Sequence, residues 1–146
     1  MKTYSLIPLT APVTKTIRVP GSKSYTNREL LLASLTKGSV TINNPLFSED
    51  TKAMISCLKS LGITIETTED TITVLDDISQ VKGDDYTLDA KLSGTTIRFL
   101  TALACIIPGK KTITGEEGLQ KRPLADLVDA LRQLGAKIDY VQKEGY

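Results

Sequence analysis

The chain has 146 residues, and its 18 Lys and Arg residues nearly balance its 17 Asp and Glu residues, which leaves a net charge of +1. This balance excludes the broad basic surface of a nucleic-acid-binding or membrane-surface protein, so any basic site has to be local. Neither His nor Trp occurs, which excludes His-based catalytic triads and the usual zinc sites. We expect no membrane span and no signal peptide. Cys57 and Cys105 fall in helical apolar patterns and are expected to be free, buried thiols, which fits a reducing cytoplasm.

The first half of the chain predicts alternating strands and helices. The predicted elements are strands at 4–9 and 15–19, a helix at 24–36, a strand at 39–43, a helix that begins after Ser48, and a hairpin of strands 63–66 and 71–75. Ser48 is a typical helix cap, and Glu49 and Asp50 follow in the first turn, where the helix dipole favours acids. Gly62 is expected to end this helix.

The second half repeats this order. The predicted elements are a strand at 86–89, a helix from Ser93-Gly94 through Leu103 to Ile107, a strand at 111–114, a helix from Pro123 to Gly135, and a strand at 136–141. We expect Glu116-Glu117 to form an exposed turn. The strand that should return after 136–141 is missing, so the chain is expected to be part of a longer protein and prone to self-association.

Three landmarks recur in the two halves at a nearly constant spacing of 70 to 73 residues. They are Arg28 and Arg98, Gly38 and Gly109, and Leu61-Gly62 and Leu134-Gly135. Matching element order and landmarks together favour an internal repeat over two unrelated pieces of generic α/β packing. The expected fold class is therefore α+β, built from repeated units.

The stretch from Val19 to Arg28 predicts an anion site. A strand that stops at Pro20-Gly21 and runs into a Ser-rich helix start presents free backbone N–H groups and the positive end of a helix dipole. Lys23 adds a point charge, and Arg28 lies one helical turn beyond Ser24 with a fork that matches phosphate. The alternative is an ordinary capped helix with solvated basic residues.

Two further basic positions lie near predicted helix starts. Gly94 and Arg98 open the third helix, with Thr95 and Thr96 as neutral hydroxyl donors. Arg98 could instead pair with a neighbouring carboxylate, and Lys121-Arg122 before Pro123 could be a solvated loop pair. No acidic residue stands out as a general base, and no acidic pair has the spacing of a two-metal site, so no metal is expected.

Three segments of the sequence resemble one family in the same order. They are PGSKSYTNRELLLASL at 20–35, SGTTIRFL at 93–100 and QKRPLADLVDALRQLGA at 120–136. The first resembles the Pro-Gly-Ser-Lys-Ser-x-[Ser/Thr]-Asn-Arg signature of the 5-enolpyruvylshikimate-3-phosphate synthase family of enolpyruvyl transferases. The second is similar to its Gly-Thr-x-x-Arg segment and the third to its Arg-Pro helix. The related UDP-N-acetylglucosamine enolpyruvyl transferases have Lys-Asn where this chain has Lys23-Ser24, which favours the shikimate branch.

The resemblance implies a fold of repeated βαβαββ units, inverse α/β barrel-like and here incomplete. It implies that residues 1–14 belong to the other domain of the family, that 15–80 form a first unit, and that 81–146 form a second unit truncated before its last strand. The implied reaction transfers the enolpyruvyl group of phosphoenolpyruvate to the 5-hydroxyl of shikimate 3-phosphate and releases phosphate. This is a step of aromatic amino acid and chorismate biosynthesis that takes place in the cytoplasm.

The resemblance also implies roles for individual residues. Lys23, Ser24 and Arg28 would hold shikimate 3-phosphate, and Lys23, Gly94 and Arg122 would hold phosphoenolpyruvate. The family's catalytic acids match no position of this chain, and no cofactor is implied. One departure is Leu92, because an apolar side chain cannot donate the hydrogen bond of the Asn that the family usually has there.

The partners expected from this resemblance are the two small substrates, without nucleic acid or membrane. The longer parent enzyme is expected to be monomeric, and the chain alone is expected to be a substrate-binding piece without activity. Two alternatives remain open: an enzyme similar to UDP-N-acetylglucosamine enolpyruvyl transferase, and a phosphate-binding module that performs no chemistry.

Overall fold

The computed structural model describes residues 3–146 as a mixed α and β structure. In chain order its elements are α1 (Lys23–Ser34), β1 (Val40–Asn43), α2 (Glu49–Ser60), β2 (Ile65–Thr67), β3 (Thr71–Val74), a 3-10 turn (Ile78–Gln80), β4 (Tyr86–Asp89), α3 (Gly94–Ala104), β5 (Lys111–Thr114), α4 (Glu117–Gln120) and α5 (Ala125–Gln133). None of the helices between residues 3 and 146 has the length and apolar character needed to cross a bilayer.

The first half folds into an antiparallel sheet covered by α1 and α2. The strand order is β1-β3-β2, so β3 lies in the middle and pairs with both neighbours. Ser48 caps α2 with a reciprocal capping box, as its position before two acids predicts. The largest fully buried side chains of this core are Leu30, Met54, Leu58, Leu61, Ile63, Ile72 and Val74.

The second half contains a parallel pair, β4 and β5, joined by the crossover helix α3. Leu88 of β4 is buried with the main core, and a smaller cluster forms around Ala90, Ile97 and Leu119. Strand β4 has the predicted bounds, and β5 also begins and ends where the sequence predicts. The connection is parallel because α3 returns the chain to the same end of the sheet.

Three predicted strands are absent from the structure. Residues 4–9 and 15–19 are exposed and form no strand, and residues 136–141 form none either. Their alternating apolar pattern favours an extended backbone, but a strand also needs a neighbouring edge for its ladder hydrogen bonds. Within residues 3–146 no such edge is paired with any of these segments.

Two smaller expectations are also wrong. Glu117 does not lie in a turn but begins the short helix α4, whose Leu119 is buried. Cys57 is a buried free thiol as expected, whereas Cys105 is exposed, because α3 ends at Ala104 and Cys105 becomes its C-terminal cap.

Candidate functional site

The turn before α1 is fixed by close backbone packing. A methyl group at Gly21 would overlap the carbonyl oxygen of Asn44 and lie 2.8 Å from the nitrogen of Leu46, so only glycine fits here. The Thr26 hydroxyl donates to the carbonyl of Ser22 at 2.9 Å and accepts from the nitrogen of Leu46 at 3.0 Å. These contacts hold the first turn of α1 against the loop that leads into α2.

Lys23, the first residue of α1, forms an ion pair with Asp50 in the first turn of α2. Its Nζ lies 2.9 Å from Oδ2 of Asp50, and the two side chains are 48% and 25% exposed. Asp50 therefore caps a helix, as predicted, and also neutralises the lysine of the anion motif. An ion pair this exposed is weak, with a typical value of about 0–1 kcal/mol.

Arg28 lies on the exposed side of α1 near α3. Its Nη1 donates to the backbone carbonyl of Ser24 at 2.9 Å, and its guanidinium carbon lies 5.9 Å from the centre of the Phe99 ring. Within residues 3–146 no carboxylate lies in ion-pair range of this guanidinium. The group is thus held in place by a carbonyl and an aromatic face, which leaves its charge available.

Two guanidinium groups converge on Gly94 at the start of α3. A methyl group at Gly94 would lie 2.8 Å from Nη1 of Arg122 and 3.3 Å from Nη1 of Arg98. Arg98 donates to the carbonyls of Gly94 and Pro123, each at 3.0 Å, so the alternative that it pairs with a carboxylate is wrong. Among the described residues neither arginine has an acidic partner.

A buried hydroxyl links α3 to α2. The Thr96 side chain, fully buried, donates to the carbonyl of Asp50 at 3.2 Å and accepts from the Ser93 hydroxyl at 2.7 Å. Its hydroxyl is therefore structural and does not face an anion, contrary to expectation. Because Asp50 also contacts Lys23, the N-termini of α1, α2 and α3 meet at this residue, and their helix dipoles add positive potential there.

The structure thus brings most of the predicted site residues to this junction. Lys23 and Ser24 begin α1, Arg28 follows within two turns, and Gly94 begins α3 with Arg122 against it. Lys121, by contrast, points away and pairs with Glu117 at 2.5 Å as a solvated surface pair.

Sequence reasoning missed three contributions to the junction. It gave Asp50 only a capping role, overlooked Phe99 beneath Arg28, and did not notice Asn27, whose fully buried side-chain amide has no hydrogen-bond partner among the described residues. The polar Asn27 in an otherwise apolar helix face is the signal that could have been used.

The titratable groups near this junction are not suited to proton transfer near neutral pH. Hydrogen bonds from the side chain and backbone N–H of Lys91 hold the pKa of Asp89 below its usual value. Burial, followed by the negative charge of Asp89, raises the pKa of the Cys57 thiol to about 11. The arrangement can bind anions through guanidinium, ammonium and backbone N–H groups, and it offers no poised general base.

A family model for EPSP synthase (3-phosphoshikimate 1-carboxyvinyltransferase) matches residues 8–146. The chain belongs to the EPSP synthase family. The family's 3-phosphoshikimate 1-carboxyvinyltransferases from Shewanella halifaxensis and Paraburkholderia phytofirmans are 42% and 44% identical to it over 92% and 90% of the chain. A solved EPSP synthase from Acinetobacter baumannii superposes with a TM-score of 0.80 at 26% identity and covers 88% of the chain.

These matches confirm the expected family and the α+β fold of an incomplete enolpyruvyl transferase. The chain spans about a third of the length of these relatives, since it covers 32% and 30% of the two enzymes and 30% of the solved structure.

Proposed function

We propose that this chain provides part of the substrate site for transfer of the enolpyruvyl group from phosphoenolpyruvate to the 5-hydroxyl of shikimate 3-phosphate, with release of phosphate. The observation that carries the proposal is the convergence of Arg98 and Arg122 on Gly94 without an acidic partner among residues 3–146. Two positive groups held this close repel each other, so the arrangement favours a bound anion that carries a phosphate or carboxylate.

The two anionic substrates are assigned to two parts of the junction. Shikimate 3-phosphate is held by Lys23, Ser24 and Arg28, where the α1 N-terminus and a guanidinium fork match a phosphate group. Phosphoenolpyruvate lies at Gly94 and Arg122, and Lys23 reaches both substrates. Support for this division comes from the family and from the separate positions of Arg28 and Arg122 on α1 and after α4.

The wider setting is proposed on the same ground. Residues 15–80 and 81–146 are two units of one domain, and residues 1–14 belong with the other domain of the enzyme. The reaction takes place in the cytoplasm as a step of aromatic amino acid biosynthesis, without a cofactor, in an enzyme that is a monomer when whole. The chain itself binds substrate without turning it over, because it offers no poised proton donor or acceptor.

Isotope-labelled chain titrated with shikimate 3-phosphate tests the first assignment. We expect amide shifts concentrated at residues 21–28, and we expect Arg28→Ala to weaken binding by about 1.5–3 kcal/mol, the cost of one charged hydrogen bond. Arg18→Ala is a matched control, since Arg18 is also exposed but precedes the motif. Shifts spread evenly over the surface, or equal affinity in Arg28→Ala and the wild type, would contradict the assignment.

A second titration distinguishes the enzyme family from a general phosphate-binding module. UDP-N-acetylglucosamine and inorganic phosphate are compared with shikimate 3-phosphate at the same concentrations. Preference for shikimate 3-phosphate supports the proposal. Equal response to inorganic phosphate favours the module, and preference for the nucleotide sugar favours the related transferase.

A further inference from the structure

One edge of β5 carries no strand among residues 3–146. Strand β5 pairs with β4 on one side only, whereas its counterpart β1, 71 residues earlier, pairs with the central strand β3. Strand β3 in turn pairs with β2, whose counterpart 73 residues later is the segment at 138–140. The second half therefore has both neighbours of a central strand and no central strand between them.

A cleft occupies the corresponding position. It has a volume of about 680 Å³ and is lined by β5, by the segment 135–143, and by side chains from α3 and α5. Apolar groups from Ile107, Ile113, Leu119 and Val128 form its floor. In the first half the same position is filled by Ile72 and Val74 of β3, both fully buried.

One exposed segment of the chain matches β3 in sequence. Residues 16–19 read Thr-Ile-Arg-Val, and β3 reads Thr-Ile-Thr-Val, so three of four residues are identical. Ile17 and Val19, the counterparts of the buried pair in β3, are 78% and 66% exposed and form no strand. The segment thus has the alternation that the cleft requires and no partner within residues 3–146.

The single difference between the two sequences is complementary in charge to the cleft. In the first half, Thr73 of β3 is opposite Glu66 of β2. The repeat places Arg18 at the position of Thr73 and Asp139, which is exposed, at the position of Glu66. A cross-strand pair of opposite charges stabilises a sheet, so the residue that departs from β3 departs in the favourable direction.

We propose that residues 16–19 of a second copy of this chain dock in this cleft as an antiparallel strand, with Ile17 and Val19 facing inward and Arg18 opposite Asp139. The backbone groups of β5 and of residues 137–139 then gain the ladder partners that β3 provides in the first half. Pro20 has no N–H to donate, which limits the docked strand to these four residues. Reciprocal exchange between two chains gives a closed dimer, and one-way exchange gives longer assemblies.

The repeat also offers a competing location for the same segment. Residues 16–19 precede α1 as β4 precedes α3, 70 residues later, and β4 pairs in parallel with β5. By that register the segment would pair with the free edge of β1, where Arg18 would be opposite Ile42. No acidic residue is at that position, so a dependence on Asp139 distinguishes the cleft from the β1 edge.

Sedimentation of the full 146-residue chain over a range of concentrations tests the proposal. We expect the mass to rise from the 15.9 kDa monomer to at least twice that value as concentration increases. Ile17→Lys should raise the concentration needed for half-association by about tenfold or more, because a charge would be placed in the apolar cleft. Ile7→Lys is the matched control, since Ile7 is equally exposed in the same stretch but outside the docked strand, and it should associate like the wild type.

A charge exchange tests the register. Arg18→Glu and Asp139→Arg should each weaken association by roughly two- to fivefold, and the double variant should restore it. Amide protection should appear at 111–114 and 137–139, and a synthetic peptide of residues 14–20 should compete. A chain that stays monomeric, association insensitive to Ile17→Lys, or a double variant no better than the single ones would overturn the proposal. Protection of β1 in place of β5 would also overturn it and would assign the segment to the β1 edge.

Discussion

Replacement of Gly94 by Ala tests the proposed phosphoenolpyruvate site where space is most restricted. The added methyl group would lie 2.8 Å from Nη1 of Arg122 and 3.3 Å from Nη1 of Arg98. Both atoms are at the ends of flexible side chains, so the guanidinium groups can move aside without a shift of the backbone. We therefore expect the folded state to tolerate the change and the arrangement of the two guanidinium groups to be lost.

The size of each effect follows from this geometry. Gly94 has an ordinary helical backbone, and Ala there reduces the entropy of the unfolded chain, so stability should be unchanged or higher by about 0.4–1 kcal/mol. Displacement of one guanidinium from a bound anion removes one charged hydrogen bond, at a cost of about 1.5–3 kcal/mol. Binding of phosphoenolpyruvate should weaken roughly 10- to 150-fold.

Isothermal titration with phosphoenolpyruvate and urea unfolding of the same samples separate the two effects. Gly83→Ala is a matched control, since a methyl group at Gly83 has no neighbour within 4 Å, and it should change neither affinity nor stability by much. Equal affinity of Gly94→Ala and the wild type would refute the reasoning, because an anion between the two arginines cannot ignore the methyl group. A loss of stability together with affinity would mean that Gly94 is required for packing.

Three other substitutions have expected outcomes. Arg28→Lys keeps the charge but replaces a bidentate fork with a point charge, so binding of shikimate 3-phosphate should weaken by about 1–2 kcal/mol in a titration, and wild-type affinity would show that Arg28 is only a surface residue. Gly21→Ala should lower the free energy of unfolding in urea by about 1–3 kcal/mol, because its methyl group would overlap backbone atoms at Asn44 that cannot move aside. The pKa of Cys57 is raised to about 11 from 9.0, so the native state keeps a proton that the unfolded state loses. Stability should therefore fall as pH rises from 9 to 11, by up to about 2.7 kcal/mol at 1.36 kcal/mol per unit. Cys57→Ala should remove most of that fall and Cys105→Ala should retain most of it, and parallel pH profiles of the two variants would contradict the assignment.

The elements that could be predicted from sequence are those whose boundaries depend on local chemistry. Ser48 caps α2 because its hydroxyl accepts from a backbone N–H three residues on, and Gly62 ends the helix in a left-handed conformation with φ of 93°. Such signals lie within a few residues of the boundary that they determine. The predictions that failed depend on distant partners. Residues 136–141 have a strand pattern, but a pattern does not specify which edge is available, and α4 depends on burial of Leu119 beneath its single turn.

The same distinction applies to the site. Lys23, Ser24 and Arg28 could be placed together because they share one helix start. The contact between Lys23 and Asp50 could not be predicted, since 27 residues separate them and only packing of α1 on α2 brings them together. The position of Arg122 against Gly94 likewise depends on the turn between α4 and α5.

The pairing of Lys23 with Asp50 gives the basic groups of the junction different functions. The guanidinium groups of Arg28, Arg98 and Arg122 are held by carbonyls or an aromatic ring and have no acidic partner among the described residues, so an anion gains their charge without breaking an ion pair. Lys23 can contact an anion only if that anion outcompetes the Asp50 carboxylate. A dianionic phosphate attracts Lys23 more strongly than a single carboxylate does, and the pair is exposed enough to exchange at low cost. The backbone of Asp50 is fixed by the hydrogen bond from Thr96, so its side chain can rotate away while α2 stays in place. Affinity therefore comes from the arginines, and discrimination between phosphate and weaker anions comes from the lysine.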